Sequence, residues 1–352
     1  MAKKIPVGVL GATGAVGQKF VKLLENHPWF ELTEVAASDR STGKTYQDAT
    51  LWRQYTPIPE SIKAKTVKPC EPGLDCRLVF SGLDSSVAGE IEEDFARAGY
   101  TVVTNAKNHR MDPDVPLLVP EINPDHLALL KTQRERRGWS GALVTNPNCS
   151  TAGLVLPLAA LNQVFGIRRL IVTTLQSLSG AGYPGHPAVD MLGNIIPFIG
   201  GDEENKIETE PRKILGRLRG GEIEPAPFQI SAHTNRVFVE DGHTECVSIE
   251  LEKKTTPAEV AAILSGYRSL THEMKLPSAP ERPIIVTAER DRPQPRFDRD
   301  AGAGMSAVVG RIRECPVFDI RFVVLSHNTI RGAAGAAILN AELMKEMKEL
   351  SH

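Results

Sequence analysis

The chain contains 352 residues, of which 41 % are hydrophobic and 24 % charged, and its formal net charge is -2. This composition is typical of a globular protein and excludes a disordered chain, and the balanced charge gives no basic footprint for nucleic acid. No apolar run approaches the roughly 18 residues that a membrane-spanning helix needs. At about 150 residues per domain, the length predicts two domains.

The first residues and the cysteines indicate the compartment. The early apolar run leads into glycines and not into a small-residue cleavage site, so we interpret it as a strand and not as a signal peptide. The five cysteines are an odd and sparse set, which fits a reduced cytoplasm better than a disulfide framework. They include no Cys-x-x-Cys pair, so no metal is expected.

The first 150 residues alternate short apolar runs with polar, helix-like stretches. The pattern predicts strands at 6–10, 32–38, 76–82, 100–106 and 142–147, and helices at 15–26 and 90–99. This alternation is typical of a parallel sheet covered by helices on both faces.

The second half is richer in β-sequence. Strands are predicted at 168–180, 227–239 and 243–253, a helix at 257–270, and a strand at 283–288 within a loop spanning 277–300. Long β-runs with few helices favour a mostly antiparallel sheet in an α+β domain. The end, 331–350, predicts one long helix whose small residues permit close packing, and we expect it to pack back against the first domain.

A glycine-rich turn lies between the first predicted strand and helix. Gly11, Gly14 and Gly17 are spaced G-x-x-G-x-x-G, and such a turn lets the backbone approach a pyrophosphate at a helix N-terminus. The alternative is a tight turn without a ligand. The cofactor-binding residues predicted in this turn are Gly11, Thr13, Gly14, Ala15, Val16 and Gly17.

The second predicted strand ends in Ser38, Asp39, Arg40 and Ser41. An acid at this point binds a ribose 2′-hydroxyl and indicates NAD, whereas an arginine with flanking hydroxyls suits the 2′-phosphate of NADP. Three groups against one favour NADP, and the alternative to both is a polar loop.

Cys149 lies in the sequence Asn-Pro-Asn-Cys-Ser-Thr, between an apolar strand and an apolar helix-like stretch. The positive end of a helix lowers the pKa of a thiol, so we expect a reactive thiolate here. Neighbouring backbone amides could hold a developing oxyanion. The alternative is a buried, inert cysteine.

A thiolate nucleophile needs an acid–base partner, and His243 is the best candidate by context. Arg236 precedes it by seven residues, across a turn at Asp241-Gly242, which could place a guanidinium and an imidazole near one ligand. The alternative is a surface turn.

The chain resembles the aspartate-semialdehyde dehydrogenase family, in particular its archaeal and fungal-type branch. The resemblance covers nearly the whole sequence and rests on separate motifs in the same order: GATGAVGQ, NPNCST, QSLSGAGYPG, GGDEENKIETEP, HTNRVFVEDGHTE, DRPQPR and SHNTIRGAAGAAILNAE.

The resemblance implies a role for each matching residue. Cys149 would be the nucleophile and His243 the general acid–base, Gln176 would orient the substrate or thioester, and Asn148 would help to form the oxyanion site. Arg236 would bind the substrate α-carboxylate, Glu203 the α-ammonium, and Arg110 with Lys206 the phosphate. Asn328 would lie by the nicotinamide, and Ser81 and Gly82 would line the cofactor channel. The E-x-x-K spacing to Lys206 favours Glu203 over its neighbour Glu204.

The implied reaction is the reversible, NADPH-dependent reductive dephosphorylation of 4-phospho-L-aspartate to L-aspartate 4-semialdehyde through a cysteine thioester, in lysine, threonine and methionine biosynthesis. Two related alternatives remain, a malonyl-CoA reductase and an N-acetyl-glutamyl-phosphate reductase, whose substrates have no free α-ammonium for Glu203. A non-catalytic nucleotide-binding sensor is the alternative from a different class of protein.

Pattern and resemblance together predict two domains. Residues 1–149 with 330–352 would form a doubly wound Rossmann-type dinucleotide-binding domain, and residues 150–329 an α+β catalytic and subunit-contact domain. The family implies a homodimer or homotetramer. The apolar stretch 181–199 is predicted to contribute to a subunit contact.

Overall fold

The computed structural model describes residues 3–350, which form two six-stranded sheets and a two-stranded ribbon. The first sheet has six parallel strands in the order β3-β2-β1-β4-β5-β6. Its strands are β1 Ile5–Leu10, β2 Phe30–Ala37, β3 Lys68–Pro69, β4 Leu78–Ser81, β5 Thr101–Thr104 and β6 Ala142–Thr145. This strand order is that of the dinucleotide-binding doubly wound fold, as predicted.

Five α-helices accompany the first sheet: α1 Ala15–Leu24, α2 Tyr46–Ala49, α3 Glu60–Lys63, α4 Ser85–Arg97 and α5 Leu129–Arg137. Strands β4, β5 and β6 are buried at every position, because helices cover both faces of the sheet. Helix α4 begins earlier than the predicted residue 90, since the side chain of Asp84 accepts a hydrogen bond from the Ser86 amide and caps it there.

The second sheet has the order β10-β7-β11-β14-β13-β12, and a two-stranded ribbon lies beside it. Its strands are β7 Ile167–Gln176, β10 Gln229–Arg236, β11 His243–Leu251, β12 Ile284–Val286, β13 Ala307–Glu314 and β14 Ile320–Ser326, and the ribbon comprises β8 Arg217–Arg219 and β9 Glu222–Glu224. The helices of this half are α6 Cys149–Phe165, α7 Ala188–Met191, α8 Glu203–Ile214, α9 Pro257–Gly266, α10 Leu270–Glu273 and α11 Pro295–Asp298.

As predicted, most strand pairs of the second sheet are antiparallel, but the sheet as a whole is mixed. Strand β7 runs parallel to β10, and β12 runs parallel to β13, while the three remaining pairs are antiparallel. The connection from β7 to β10 contains α8, which makes a crossover that returns the chain in the same direction. Neither α8 nor the β13–β14 pair was predicted from the sequence.

The sequence predicts one long helix at 331–350, whereas the structure divides this segment into two helical parts. A π-helical turn at Ile330–Ala334 precedes α12, Gly335–Glu346. A Cβ atom at Gly332 would lie 2.7 Å from the Cβ of Cys149, so a glycine allows this turn to approach the start of α6. Beyond it, α12 packs into the core of the first sheet beside Val7, Phe20 and Phe80. Residues 1–2 and 351–352 of the predicted domain lie outside the described residues.

The two sheets meet at the turn between β6 and α6. Strand β6 is part of the first sheet, whereas α6 supplies Leu154, Val155 and Leu158 to the core of the second. The segment 146–148 therefore lies at the junction of the two halves, where a cleft can admit ligands from both sides. No helix in residues 3–350 is long and apolar enough to cross a membrane.

Candidate active site

Cys149 is the first residue of α6, as the sequence predicted. The Oδ1 atom of Asn148 accepts hydrogen bonds from the amides of Ser150 at 2.9 Å and Thr151 at 3.4 Å. This is the N-cap arrangement that asparagine favours. The cap fixes the direction of α6 and holds the half-buried Cys149 side chain at the junction between the sheets.

His243 faces Cys149 across this junction. It begins β11, between β7 and β14, and its Nε2 atom lies 3.1 Å from the Cys149 Sγ. The backbone N–H of Ser177 donates to His243 Nδ1 at 3.1 Å. Because a backbone amide can only donate, Nδ1 is an acceptor, and the neutral ring carries its proton on Nε2, towards the sulfur.

Burial keeps both of these groups neutral. It raises the pKa of the Cys149 thiol to about 12, with a further rise from Glu203, against the opposing charges of Arg110, Arg236 and Lys206. Burial also lowers the pKa of His243 to about 3. The sequence predicts a thiol pKa lowered by the helix end, whereas in the structure desolvation of the thiolate is the largest effect on Cys149 and raises the pKa.

Gln176 and Arg236 come together because β7 and β10 are parallel and in register at these two residues. Each ends its strand at the same edge of the sheet. Arg236 Nη1 donates to the Ser177 carbonyl oxygen at 2.6 Å, while its buried Nε has no partner among the described residues. A Cβ at Gly180 would lie 2.8 Å from Arg236 Nη1 and 2.9 Å from His243 Cε1, so only glycine lets this loop cover both side chains.

Helix α8 carries the acidic end of the site. The Glu203 carboxylate accepts from Asn148 Nδ2 at 2.7 Å, Gln176 Nε2 at 3.2 Å and Lys206 Nζ at 2.9 Å. Burial alone would raise the pKa of Glu203, but the charge and hydrogen bond of Lys206 and the two amides outweigh it and lower the pKa. Glu204 instead accepts from the Thr234 amide at 3.2 Å, which supports the choice of Glu203.

Arg110 is linked through Glu210 to the turn 146–149, which we call the nucleophile turn. Its guanidinium already has hydrogen-bond partners. Its Nη1 donates to Glu210 Oε1 at 2.9 Å and its Nη2 to the Asn105 carbonyl at 2.6 Å, and its buried Nε has no partner among residues 3–350. The second oxygen of Glu210 accepts from the Asn148 amide at 2.6 Å. Glu210 thus joins the nucleophile turn to the arginine, and sequence reasoning missed it.

A regular spacing could have revealed Glu210. Glu203, Lys206, Glu210 and Lys213 follow one another at intervals of three, four and three residues, which places them on one face of a helix. Lys213 Nζ donates to the carbonyls of Arg110, Asp112 and Val115 at 2.7, 2.7 and 2.9 Å. One face of α8 therefore fixes the geometry of the acidic group and of the Arg110 loop together.

The glycine turn lies at the carboxyl end of β1. Gly11 has φ +71, and a Cβ there would lie 2.8 Å from the carbonyl oxygen of Gly82. A Cβ at Gly17 would overlap the carbonyl oxygen of Gly11. Gly14, at the N-cap of α1, has no side chain to satisfy the first amides of that helix. The backbone amides around Thr13, Ala15 and Val16 are therefore available to bind an anion at the N-terminus of α1.

The other predicted cofactor residues lie in three different settings. Ser38 and Arg40 are exposed after β2, while Ser41 is buried and its amide bonds to the Ser38 carbonyl at 2.8 Å. The Ser81 hydroxyl is fully buried and donates to Glu92 Oε1 at 2.6 Å. The neighbouring Gly82 has no side chain and could line a cofactor channel only with its backbone.

Asn328 lies on the side of His243 that faces away from Cys149. Its Oδ1 accepts from the Gly242 amide at 2.9 Å and from the Ser177 hydroxyl at 3.1 Å, and its Nδ2 donates to Ser179 Oγ at 2.8 Å. The Asn328 side chain therefore holds in place the loop that contacts the imidazole ring of His243. Only the tertiary structure reveals that Ser177, in this loop, contacts the ring.

Comparisons with known proteins show the family of the chain. Two family models match the chain, the semialdehyde dehydrogenase NAD binding domain over residues 6–130 and the semialdehyde dehydrogenase dimerisation domain over residues 158–331. The aspartate-semialdehyde dehydrogenase of Archaeoglobus fulgidus is 50 % identical over 97 % of this chain and 98 % of its own. The chain belongs to the aspartate-semialdehyde dehydrogenase family.

Other members of the family extend the likeness to fungi and to solved structures. The Saccharomyces cerevisiae protein of the same name is 47 % identical over 98 % of both chains. The crystal structure of the Candida albicans aspartate semialdehyde dehydrogenase with NADP aligns with a TM-score of 0.91 at 45 % identity, over 99 % of this chain and 100 % of its own. Membership of the archaeal and fungal-type family, predicted from the motifs, is confirmed.

Proposed function

We propose that this protein catalyses the reversible NADPH-dependent reductive dephosphorylation of 4-phospho-L-aspartate to L-aspartate 4-semialdehyde, a step in lysine, threonine and methionine biosynthesis. The observation that carries the proposal is the Cys149–His243 contact of 3.1 Å. It lies among the acidic Glu203 and the basic Arg236 and Lys206, which match the ammonium, carboxylate and phosphate of the substrate in sign.

Substrate binding requires an exchange of partners. Lys206 pairs with Glu203 at 2.9 Å, so the substrate ammonium would replace Lys206 at Glu203 and release Lys206 to the phosphate. Arg236 has an unpartnered Nε for the α-carboxylate, and Arg110 has one for the phosphate. Charge-assisted hydrogen bonds of this kind contribute about 1.5–3 kcal/mol each, enough to orient the acyl phosphate.

In the first chemical step the Cys149 sulfur attacks the acyl carbon and phosphate leaves. The S–C bond forms, the C–O bond to phosphate breaks, and the thiol proton departs on the phosphate as hydrogen phosphate. The oxyanion needs donors that are not already committed, yet both functional groups of the Asn148 side chain are bound, to α6 and to Glu203. We assign the oxyanion to the Cys149 amide and to His243 Nε2–H, with Asn148 positioning the turn.

In the second step the thioester carbon accepts a hydride, which NADPH supplies when it is bound. His243 Nε2–H would donate a hydrogen bond to the oxyanion of the resulting tetrahedral adduct, and its tautomer already places that N–H on the correct side. Collapse of the oxyanion breaks the C–S bond and releases the aldehyde, and the Cys149 thiolate takes one proton from solvent to restore the thiol. Gln176, buried beside Glu203, would hold the thioester during transfer.

The residues of the first sheet fit NADP. The glycine turn presents α1 amides that suit a pyrophosphate, and Arg40 with Ser38 lies exposed at the end of β2, where the 2′-phosphate would be recognised. Ser41 would act through its backbone turn, and Asp39 is the one group here that suits NAD instead. Asn328 would lie by the nicotinamide, on the far side of His243.

Domain division, assembly and compartment complete the proposal. We assign residues 1–149 with 330–352 to the dinucleotide-binding domain and 150–329 to the catalytic domain, supported by the two six-stranded sheets. Within 181–199 several large apolar side chains are exposed in the single chain, which supports a subunit contact in a homodimer or homotetramer. All five cysteines are free, which supports a cytoplasmic location.

The testing experiment is the reverse reaction, with L-aspartate semialdehyde, phosphate and NADP, followed by absorbance of the reduced cofactor. Phosphate-dependent reduction of NADP that is lost in Cys149→Ser supports the proposal. Oxidation of NADPH with malonyl-CoA, and no turnover with the semialdehyde, would transfer the assignment to a CoA-thioester reductase. Cofactor binding without turnover of any substrate would favour the sensor.

A further inference from the structure

Glu245 is a buried ionisable group that the proposed reaction does not use. It lies on β11, two residues after His243, on the face of the strand that is buried at every position. Its exposure is 2 %, and neither carboxyl oxygen has a hydrogen-bond partner in residues 3–350. The next side chains on this face are Val247 and Ile249. Burying a carboxyl group beside these apolar side chains is energetically unfavourable, so the position of Glu245 requires a physical explanation.

The polar side chain that acts on Glu245 from helix α6 is that of Ser150. It follows Cys149 on α6, is fully buried, and its hydroxyl has no partner in the described part of the chain. The interaction with the Ser150 side chain lowers the pKa of Glu245, but burial outweighs this effect and raises the pKa well above its usual value. Strand β11 and helix α6 pack together, and Cys149 with His243 forms the adjacent contact across the same interface.

The surroundings of Glu245 contain no compensating cation. No lysine or arginine forms an ion pair with it among the residues the structure describes. Its neighbours in the sheet are Thr174 on β7 and Val324 on β14. The charged group that acts on it is Glu203 on α8, which repels a carboxylate. Besides Glu203, the titratable groups at this interface are His243 on its own strand and Cys149 on α6.

We propose that Glu245 is a positioning residue which, as a neutral carboxylic acid, pairs with Ser150 directly or through one internal water and thereby sets the distance between the first turn of α6 and β11. A protonated carboxyl both donates and accepts, as does a hydroxyl, so the two groups satisfy each other in a space too apolar for a charge. This polar contact holds the adjacent Cys149 sulfur against His243. The inference rests on Cys149 as the nucleophile of the proposed function.

The test compares Glu245→Gln, which keeps a neutral donor and acceptor of the same shape, with Glu245→Leu, which keeps only the volume. The control is Glu342→Gln, which alters a buried carboxyl on α12 that binds His27 far from the site. The measurements are the rate of Cys149 alkylation by iodoacetamide against pH, kcat and KM, and the infrared band of a protonated carboxyl.

We expect Glu245→Leu to lower the alkylation rate and kcat together by about tenfold or more, with KM unchanged, because a small misplacement of reacting atoms is costly. Glu245→Gln should restore most of this loss and keep the wild-type pH profile, and the infrared band should disappear in that variant. Glu342→Gln should alter the melting temperature alone.

Three results would overturn the inference: a Glu245→Gln pH profile displaced from wild type, a wild-type spectrum without the protonated-carboxyl band, or a Glu245→Leu protein with normal alkylation and kcat. If Glu245→Leu does not fold, the band and the Glu245→Gln profile still decide. Alkylation and the infrared band require no substrate, so they remain informative even if the proposed substrate is wrong.

Discussion

The cofactor turn and the nucleophile turn are the same kind of structure, a parallel strand followed by a helix N-terminus, yet they provide opposite environments. At the turn 11–17 the N-cap is Gly14, which leaves the α1 amides open to an external anion. At the turn 146–149 the N-cap is Asn148, whose side chain consumes two of the α6 amides. The first turn is built to bind a ligand, and the second to hold one side chain in place.

Their electrostatics differ for the same reason. The exposed Ser38 and Arg40 lie beside the glycine turn and meet solvent, whereas Cys149 and His243 are neutral because burial disfavours their charged forms. A helix N-terminus therefore does not by itself make a reactive thiolate, since desolvation can outweigh the helix dipole. Four substitutions and one pH measurement test this comparison of the two turns.

The largest effect is expected from Cys149→Ser. Loss of the thiol removes the covalent route, and kcat/KM should fall by roughly 10³-fold or more. Binding of NADPH, followed by fluorescence titration, should stay at the wild-type level because the glycine turn is untouched. Retention of substantial reductase activity would show that the nucleophile lies elsewhere.

The pH dependence of thiol alkylation tests the burial effect. A thiol whose pKa is raised to about 12 is neutral at physiological pH, so the reactive thiolate fraction grows about tenfold with each pH unit below that value. The alkylation rate of the substrate-free protein should therefore climb steadily from about pH 7 to pH 10. A plateau reached near pH 7 would instead indicate a lowered thiol pKa and restore the expectation made from the sequence.

His243→Asn should lower kcat by about 10²- to 10⁴-fold, because within residues 3–350 His243 is the one ring that lies against Cys149 and can stabilise the oxyanion. The KM for aspartate semialdehyde should change little, since Arg236 and Glu203 are the proposed substrate-binding groups. A steady-state comparison of kcat and KM separates the two effects. A rise in KM with an unchanged kcat would assign His243 to binding.

Gly17→Ala tests the cofactor turn. The added Cβ overlaps the Gly11 carbonyl oxygen, and overpacking of this kind costs about 1–3 kcal/mol, or roughly 5- to 100-fold in cofactor affinity if the turn is displaced. Gly266→Ala is the matched control, since nothing lies within 4 Å of a Cβ at that residue. Iodoacetamide should still alkylate Cys149 at the normal rate in both variants.

The smallest effect is expected from Arg40→Ala. Loss of one exposed charge-assisted contact should raise the KM for NADP by about tenfold and leave the KM for NAD unchanged. Asp39→Ala is the companion change and should affect only NAD. The reverse pattern would mean that the second strand recognises a ribose hydroxyl.

Much of the fold could be predicted from the sequence, because its signals are local. Apolar runs such as 6–10 and 142–147 mark buried parallel strands, and the glycine spacing at 11–17 marks the turn between β1 and α1. Helix α8 was missed because its face of charged side chains, including Glu210 and Lys213, satisfies its partners inside the protein and so lacks the apolar stripe of an ordinary helix.

The sequence by itself determined the family, five of the six strands of the first sheet, the glycine turn and the identity of the residues around Cys149, since each depends on spacing along the chain. Only the tertiary structure decided which groups are charged and which are already paired. Arg110 is bound to Glu210, the His243 tautomer is set by the Ser177 amide, and the Cys149 thiol is neutral. Hydrogen-bond partners and desolvation arise between segments far apart in sequence, and no local pattern encodes them.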